Sequence, residues 1–322
     1  MINIEGSTYY IKGGTNTGVY AYGDKAVIID PGLSGSRPKR LIKKIQARNL
    51  KPSYIINTHE HDDHYGGCGY IKSEFPDIVN CSSEYASLYI ENPILFSTYV
   101  LGGKSSEEML STSKLKKSDI SRIDTILDEG YFSLEDGNMV SDEDICRKFD
   151  EEGFKDRKDI IKIISLGGHT EGSIGILTSD GVLFSGDLLI SGEMLEKFDF
   201  MFIFDVEKQL ESIEKIKDID FKYLVAGHSK EILSKEDAIE LAAKNTAAIN
   251  KYINQVIEML SNPMGSDEIL KNIIVNNDLV CKYKEYCFFK SSLVSLITYL
   301  MDKDIICYTI KNGELLYNIK NI

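Results

Sequence analysis

The sequence predicts a mixed α/β (α+β) fold, and three observations support that class. The first thirty residues alternate polar and apolar positions, which is typical of β-strands. A stretch with helical spacing then precedes a short apolar strand. Three later apolar runs each end in glycine followed by histidine or aspartate. Strands and helices therefore alternate along the chain, with polar residues where strands end.

The N-terminal third begins as an antiparallel meander in this prediction. It closes in a buried strand, Ala26 to Ile29, and a turn at Asp30-Pro31-Gly32. Residues 36–50 place apolar side chains at helical spacing with basic residues between them, and residues 54–57 follow as a buried strand. We expect a βαβ-like unit here.

The three later strands end in His169, Asp187 and His228. Their apolar runs are 160–166, 182–184 and 223–226. In open α/β architectures the carboxyl ends of strands are where ligands gather, because the loops diverge there. Asp30 also follows a strand, so it joins this pattern.

Residues 85–158 differ in composition, and we predict that they form an inserted lid or side element. They contain an apolar and aromatic stretch (85–101), a Lys/Ser/Glu-rich helix candidate (105–120) and an acidic segment (135–152).

The C-terminal part is predicted to be a small winged-helix-like domain. A capping-box pattern at Ser234 starts a long helix, and residues 262–265 (NPMG) break it. Two helices and a hairpin with an Asn312-Gly313 turn follow. The predicted domains are residues 1–235 for the catalytic unit, 236–262 for a connecting helix and 263–322 for the winged-helix-like unit.

The composition of the chain limits the kinds of molecule that it is expected to bind. The chain has 322 residues, 43% of them hydrophobic, which excludes global disorder, and its net charge of −13 argues against a general grip on nucleic acid or anionic membrane. It contains neither an evident secretory signal nor an apolar run long enough to span a membrane. Its six cysteines lack CxxC pairs. We expect a cytoplasmic protein with reduced thiols and a small-molecule substrate.

Most of the residues that could bind a metal ion lie in one segment, residues 58–67 (THEHDDHYGG). On an extended segment His59 and His61 point to one side, so they can share a metal ion. A tight bend permitted by Gly66-Gly67 can bring Asp63 and His64 to a neighbouring metal. The other two of the five histidines both follow glycine at strand ends. This distribution indicates one shared metal site.

These residues resemble the ordered motifs of the metallo-β-lactamase-fold hydrolase superfamily over roughly residues 1–235. The matching segments are His59-x-His61-x-Asp63-His64, Gly168-His169-Thr170-x-Gly172-Ser173, Ser185-Gly186-Asp187 and Gly227-His228. The resemblance implies a four-layer αββα sandwich with two metal ions at one edge. It assigns His59, His61 and His169 to the first ion, assigns Asp63, His64 and His228 to the second, and makes Asp187 the bridge.

Imidazole with carboxylate suits Zn²⁺, with Fe or Mn as alternatives, rather than Ca²⁺. Two such ions about 3.5–4 Å apart can hold a hydroxide whose pKa is lowered towards about 7, and this hydroxide would attack a carbonyl carbon or phosphorus. Asp63 is the expected catalytic residue, orienting the nucleophile and passing a proton to the leaving group. Asp30 matches an early aspartate that supports the ligands in the family.

The complete ligand set and the context of His169 resemble the glyoxalase II-like branch, so we expect cleavage of a small ester, thioester or lactone. A single-iron oxygenase resembling the persulfide dioxygenases, a ribonuclease-like phosphodiester hydrolase and a non-catalytic metalloprotein remain alternatives. An exported β-lactamase is disfavoured because those enzymes lack the bridging aspartate. A lactone-specialised enzyme is disfavoured because Leu188-Leu189-Ile190 contains no tyrosine after Asp187.

Several residues near the motifs are not predicted to be ligands. Glu60 and Asp62 are expected to face solvent or to begin a helix. The alternating Phe198, Phe200, Phe202 and Phe204 fit a strand or loop on the core better than a pocket wall, as do Phe96 and Tyr99. Specific substrate-binding residues remain unknown at this point.

The predicted winged-helix-like unit has no net charge, since residues 264–322 contain seven lysines, no arginine and seven acidic residues. Phosphate binding needs a basic stripe. We therefore favour a lid role or a homodimer contact for this unit over RNA binding.

Overall fold

A computed structural model describes residues 1–104, 106–108, 120–140, 151–197 and 199–320. Two seven-stranded sheets face each other, and helices cover both outer faces. The expected αββα sandwich is confirmed.

The first sheet confirms the N-terminal meander. Its strands lie in chain order, β1 to β7, with antiparallel pairing up to β4 and parallel pairing from β4 onward. They are β1 (Ile2–Glu5), β2 (Thr8–Ile11), β3 (Thr17–Tyr22), β4 (Lys25–Ile29), β5 (Lys51–Ile56), β6 (Val79–Ser82) and β7 (Thr125–Ile126).

The second sheet has the order β14-β13-β12-β11-β10-β8-β9, and of its described strand pairs only β12 with β13 is parallel. Its strands are β8 (Gly130–Ser133), β9 (Asn138–Met139), β10 (Ile160–Ser165), β11 (Ile174–Thr178), β12 (Val182–Phe184), β13 (Tyr223–Val225) and β14 (Leu233–Ser234). The three strands predicted to end in histidine or aspartate are β10, β12 and β13.

The helices within the described residues are α1 (Ser36–Gln46), α2 (Asp62–Tyr65), α3 (Cys68–Glu74), α4 (Glu84–Glu91), α5 (Ile94–Leu101), α6 (Glu151–Lys155), α7 (Gly192–Leu195), α8 (Val206–Lys215), α9 (Lys235–Met259), α10 (Ser266–Asn276) and α11 (Tyr283–Asp302). None of these helices combines the length and apolar character needed to cross a membrane.

Three apolar clusters hold the layers together. Tyr20, Phe132 and Ile161 belong to the cluster between the sheets. A second cluster joins the first sheet to α1, α3 and α4. The third extends from the second sheet through α8 and α9 to α10 and α11, so the C-terminal helices share a core with that sheet. Apolar burial of this kind is the main stabilising contribution to the sandwich.

The C-terminal region contains the helices and hairpin that the sequence predicted. The Ser234 hydroxyl accepts a hydrogen bond from the Asp237 amide at 3.1 Å and caps α9. The hairpin pairs β15 (Ile306–Lys311) with β16 (Glu314–Ile319). Its turn residues Asn312 and Gly313 have φ of 52° and 84°, as a tight hairpin turn requires.

The segment expected to be an insertion is only partly separate from the sandwich. Its helices α4 and α5 lie outside the sheets, but β7 extends the first sheet and β8 pairs with β10 in the second. That part of the expectation is therefore revised for β7 and β8, because each pairs with a strand of the sandwich. Most of the predicted helix over 105–120, the acidic residues 141–150 and Cys146 lie outside the described residues. The described cysteines are all free thiols.

Candidate metal centre

Every candidate ligand lies at the edge of the sandwich where the strands end. His59 and His61 follow β5, Asp63 and His64 belong to α2, and the remaining three follow β10, β12 and β13. Within the described chain these side chains form two groups whose donor atoms lie within 4.8 Å of one another. The groups are His59, His61, His169 and Asp187, and Asp63, His64 and His228.

The first group is built around the ring of His61. Its Nδ1 lies 3.1 Å from His59 Nε2 and 3.0 Å from His169 Nε2. Asp187 Oδ2 lies 3.9 Å from His59 Nε2 and 3.8 Å from His169 Nε2. Three imidazole nitrogens and a carboxylate oxygen thus face one point, which is a donor set that Zn²⁺ accepts.

The second group lies on the other side of Asp187. His228 Nε2 is 3.2 Å from Asp63 Oδ2 and 3.2 Å from Asp187 Oδ2. His64 Nε2 is 3.3 Å from Asp187 Oδ1 and 3.9 Å from Asp63 Oδ2. The Asp187 carboxylate therefore reaches both groups, at the position that the resemblance assigns to a bridging ligand.

Hydrogen bonds on the outer side of the rings orient three of these histidines. The Nδ1–H of His169 donates to the Phe202 carbonyl at 3.0 Å, and that of His228 donates to the Gly14 carbonyl at 2.7 Å. The Nδ1–H of His64 donates to Asp30 Oδ2 at 2.8 Å. Each bond leaves Nε2 facing the centre, which is how outer partners fix a ligating histidine.

Asp30 also anchors the loop that carries the first two histidines. It accepts from the Thr58 amide at 2.8 Å and from the Thr58 hydroxyl at 2.7 Å. Its φ of 53° lies in the left-handed region, which aspartate tolerates better than most residues. Asp63 has an anchor of its own, since the Thr15 hydroxyl donates to its Oδ2 at 2.8 Å.

Burial and unpaired atoms test whether the residues fit metal ions. His64 Nε2 and Asp187 Oδ1 are buried and have no hydrogen-bond partner within the described part of the chain. Such atoms are costly to bury unpaired, and few occur in native proteins. A carboxylate oxygen and a ring nitrogen that face each other in this state match the first coordination sphere of a divalent cation. The residues fit the expected pair of ions.

The charges of the two groups differ. Burial lowers the pKa of His59 and His169 and lowers the pKa of His61 to about 3, so these rings are neutral and able to ligate. Asp187 raises the pKa of His228 to about 11. Burial opposes protonation of His64, but Asp187 and Asp30 hold its pKa well above the usual range. A cation bound to the second group would displace these protons.

The carboxylates of Asp63 and Asp187 are held ionised by the histidines of the second group. Burial alone would raise the pKa of Asp63 and of Asp187. The adjacent His64 and His228 outweigh that effect and hold both values well below the usual range. Ionised carboxylates are the form that binds cations.

Glu60 differs from its expectation. Its side chain is buried, with only 3% of the residue exposed, and its Oε2 accepts a hydrogen bond from the Thr170 hydroxyl at 2.8 Å. Burial raises its pKa to about 7. The partner comes from a segment far along the chain, so the local sequence gives no sign of this contact. Asp62 is the first residue of α2, the helix-starting place that was expected.

Aromatic rings lie against the first group. The Phe96 ring centroid is 4.9 Å from that of His61, and the Phe202 centroid is 5.6 Å from His61 and 5.7 Å from His169. Phe200 instead packs in the core, which is the role that the sequence favoured for all four alternating phenylalanines. Phe198 lies outside the described residues. Phe202 departs from that interpretation because the alternation turns it towards the histidines.

Sequence reasoning missed Phe288, which α11 brings to the same place. Its ring centroid lies 5.4 Å from Phe202 and 6.0 Å from Phe96. Nothing in the local pattern of α11 distinguishes Phe288 from a core residue, because the contact depends on how that helix packs on α5.

Comparison with known proteins agrees with this geometry. The sequence pattern of the metallo-beta-lactamase superfamily matches residues 10–228. A metallo-beta-lactamase family protein from Thermus thermophilus has the same fold, with a TM-score of 0.67 and 14% identity over 98% of this chain and 99% of that one.

Two curated relatives match shorter segments. Hydroxyacylglutathione hydrolase of Prochlorococcus marinus (strain NATL1A) is 37% identical over 59 residues, which is 18% of this chain and 22% of that enzyme. A mitochondrial persulfide dioxygenase of Homo sapiens is 37% identical over 101 residues, 28% of this chain and 39% of that enzyme. The chain therefore matches less than half the length of either relative.

Proposed function

The chain belongs to the metallo-beta-lactamase superfamily, and on that premise we propose that it is a binuclear metal-dependent hydrolase of a small ester, thioester or lactone. Members of this superfamily, including the hydroxyacylglutathione hydrolases, are metal-dependent hydrolases. The observation that carries the proposal is the place of Asp187. Its two carboxylate oxygens lie within 4 Å of ring nitrogens from both groups.

Two divalent ions would be held here, with Zn²⁺ preferred and Fe or Mn as alternatives. His59, His61 and His169 would hold the first, Asp63, His64 and His228 the second, and Asp187 both. When bound, such ions lower the pKa of water to near neutrality and polarise a carbonyl oxygen.

Asp63 is the acid–base candidate among the chain's own residues. Its side chain is 30% exposed, whereas that of Asp187 is 12% exposed, so Asp63 is the carboxylate that substrate can reach. Thr15 fixes its orientation. Water adds to the carbonyl carbon, the bond to the leaving oxygen or sulfur breaks, and Asp63 moves the proton of that water to the leaving group.

The test uses the full chain loaded with zinc and a hydroxyacylglutathione thioester, with free thiol as the readout. We expect turnover that a chelator removes and zinc restores. Asp63→Asn should lower kcat by about 100-fold or more, whereas the neighbouring control Asp62→Asn should retain activity. Turnover that survives both the chelator and Asp63→Asn would contradict the proposal.

A second candidate, a single-iron oxygenase, is favoured by the match to the persulfide dioxygenase. Two histidines and a carboxylate can bind Fe(II) with open positions, and the first group contains such a set. The completeness of the second group supports the hydrolase instead. Oxygen uptake by iron-loaded protein with glutathione persulfide, without thioester turnover, would favour the oxygenase over the hydrolase.

We further propose that the C-terminal unit, residues 263–322, has a winged-helix-like arrangement and serves as a cover or a homodimer contact. Its balanced charge supports a role other than holding RNA. The free thiols of the described cysteines accord with a cytoplasmic location.

A further inference from the structure

We propose that Phe96, Phe202 and Phe288 bind an aryl or alkyl group of the substrate beside the bond that is cleaved. This inference rests on the proposed hydrolase activity and specifies its substrate class as esters or thioesters with an apolar acyl group. It also gives the C-terminal helix α11 a part in selecting the substrate.

The three phenylalanines form one continuous surface although they come from three elements, α5, the loop before α8, and α11. Their ring centroids are separated by 6.2 Å between Phe96 and Phe202, by 6.0 Å between Phe96 and Phe288, and by 5.4 Å between Phe202 and Phe288. We call this surface the aromatic wall. It begins at the candidate ligands, because both Phe96 and Phe202 contact His61.

The aromatic wall is backed by apolar residues but is itself accessible. Val100 and Cys287 behind it are buried, whereas all three phenylalanines keep part of their surface exposed. When an apolar group covers a partly exposed aromatic ring, apolar surface is removed from water and the free energy of binding becomes more favourable. Binding pockets are commonly apolar walls with a few polar groups at one end, and here the polar end is the metal centre.

Phe200 shows what a purely structural phenylalanine looks like in the same segment. It is 4% exposed and packs against Tyr252 and Phe289 at 4.5 and 5.4 Å between ring centroids. Phe202, two residues later, is partly exposed and contacts two candidate ligands. The alternation therefore divides one short segment between the core and the site.

Helix α11 also holds the loop that carries Phe202. The Ile203 amide donates to the Ser292 hydroxyl at 3.3 Å, and the Ser295 hydroxyl donates to the Phe204 carbonyl at 2.7 Å. The Phe202 carbonyl in turn accepts from His169. A direct chain of contacts thus joins the C-terminal helix to the first group of ligands.

The kinetic test uses zinc-loaded full chain and p-nitrophenyl esters from acetate to octanoate. We expect kcat/KM to rise about two- to fourfold per added methylene, as burial of each methylene predicts. Phe288→Ala should remove most of this rise, and Phe288→Leu should restore it. Tyr286→Ala, an exposed residue of the same helix, is the matched control and should leave the series unchanged.

A binding test separates this inference from the proposed activity. Calorimetry with the carboxylates from acetate to octanoate measures affinity for the metal-loaded protein without any turnover. If no ester is cleaved but affinity rises with chain length and Phe288→Ala abolishes the rise, the hydrolase proposal fails, while the assignment of the aromatic wall as a binding surface for apolar groups stands. A series that is flat in both tests overturns the inference. An equal loss across the whole series in Phe288→Ala, with a lower Tm, also overturns it by assigning Phe288 a structural role.

Discussion

Two aspartates lie at the opposite ends of β12, and their hydrogen bonding differs. Before the strand, Asp180 Oδ2 accepts from the Ser7 amide at 2.9 Å and the Thr8 hydroxyl at 2.7 Å, while Oδ1 pairs with Lys158. After the strand, Asp187 Oδ1 is buried and makes no hydrogen bond within the described residues, although it lies 3.3 Å from the ligand-facing His64 Nε2. A structural network satisfies its own atoms, whereas a ligand site keeps donor atoms for something the chain does not contain.

The largest effect is expected at Asp187, because its carboxylate serves both groups of ligands. Asp187→Ala should lower thioester turnover by more than about 100-fold. This loss exceeds the one typical of a residue that only hydrogen-bonds to a metal ligand. The far-ultraviolet circular dichroism spectrum should stay unchanged because the core clusters do not include this residue. Turnover within tenfold of the native chain would remove Asp187 from the site.

The opposite result is expected at Asp180. Asp180→Ala leaves the Ser7 amide and the Thr8 hydroxyl without their acceptor, so the free energy of unfolding should fall by about 2–3 kcal/mol in chemical denaturation. Metal content should not change. Lys158→Met is the control, and it should cost less than about 1 kcal/mol because the lysine is half exposed. A loss of metal in Asp180→Ala would contradict the purely structural role assigned to Asp180.

A smaller effect is expected from Asp30, which orients His64 without facing the centre itself. Asp30→Asn keeps the left-handed backbone, since asparagine tolerates it, but removes the charge that holds the His64 Nδ1–H. Metal affinity measured by competition with a chelator should weaken by about 10- to 100-fold. An unchanged affinity would mean that packing alone positions His64.

The smallest effect is expected at Thr15, whose hydroxyl donates to Asp63. Thr15→Val keeps the shape and removes one hydrogen bond to a charged group, so kcat should fall by about tenfold, corresponding to roughly 1.5 kcal/mol. Thr17→Val is the control, because the Thr17 hydroxyl accepts from Arg37 and touches no candidate ligand. Equal losses of kcat in both variants would show that the Thr15 bond has no specific role.

Local pattern predicted the strands and the candidate ligands, whereas the four layers and the division of those residues between two ions were implied by the family resemblance. Alternation and apolar runs identified the strands, and the placing of His169, Asp187 and His228 at strand ends indicated a site shared with the motif at 59–64, although the two sets follow strands of different sheets. Contacts between distant segments were not predictable in this way. Glu60 is buried with Thr170 as its hydrogen-bond partner, and Phe288 reaches Phe202 only because α11 packs on α5, α8 and α10.

The central claim is that these side chains form one centre for two metal ions, and elemental analysis tests it most directly. The 322-residue chain purified anaerobically without added metal should contain about two divalent ions per molecule, as two groups of candidate ligands imply. His61→Ala, which removes a candidate ligand of the first group and leaves the second intact, should lower that number. A single iron per chain, or a metal content that His61→Ala and Asp187→Ala both leave unchanged, would contradict the account.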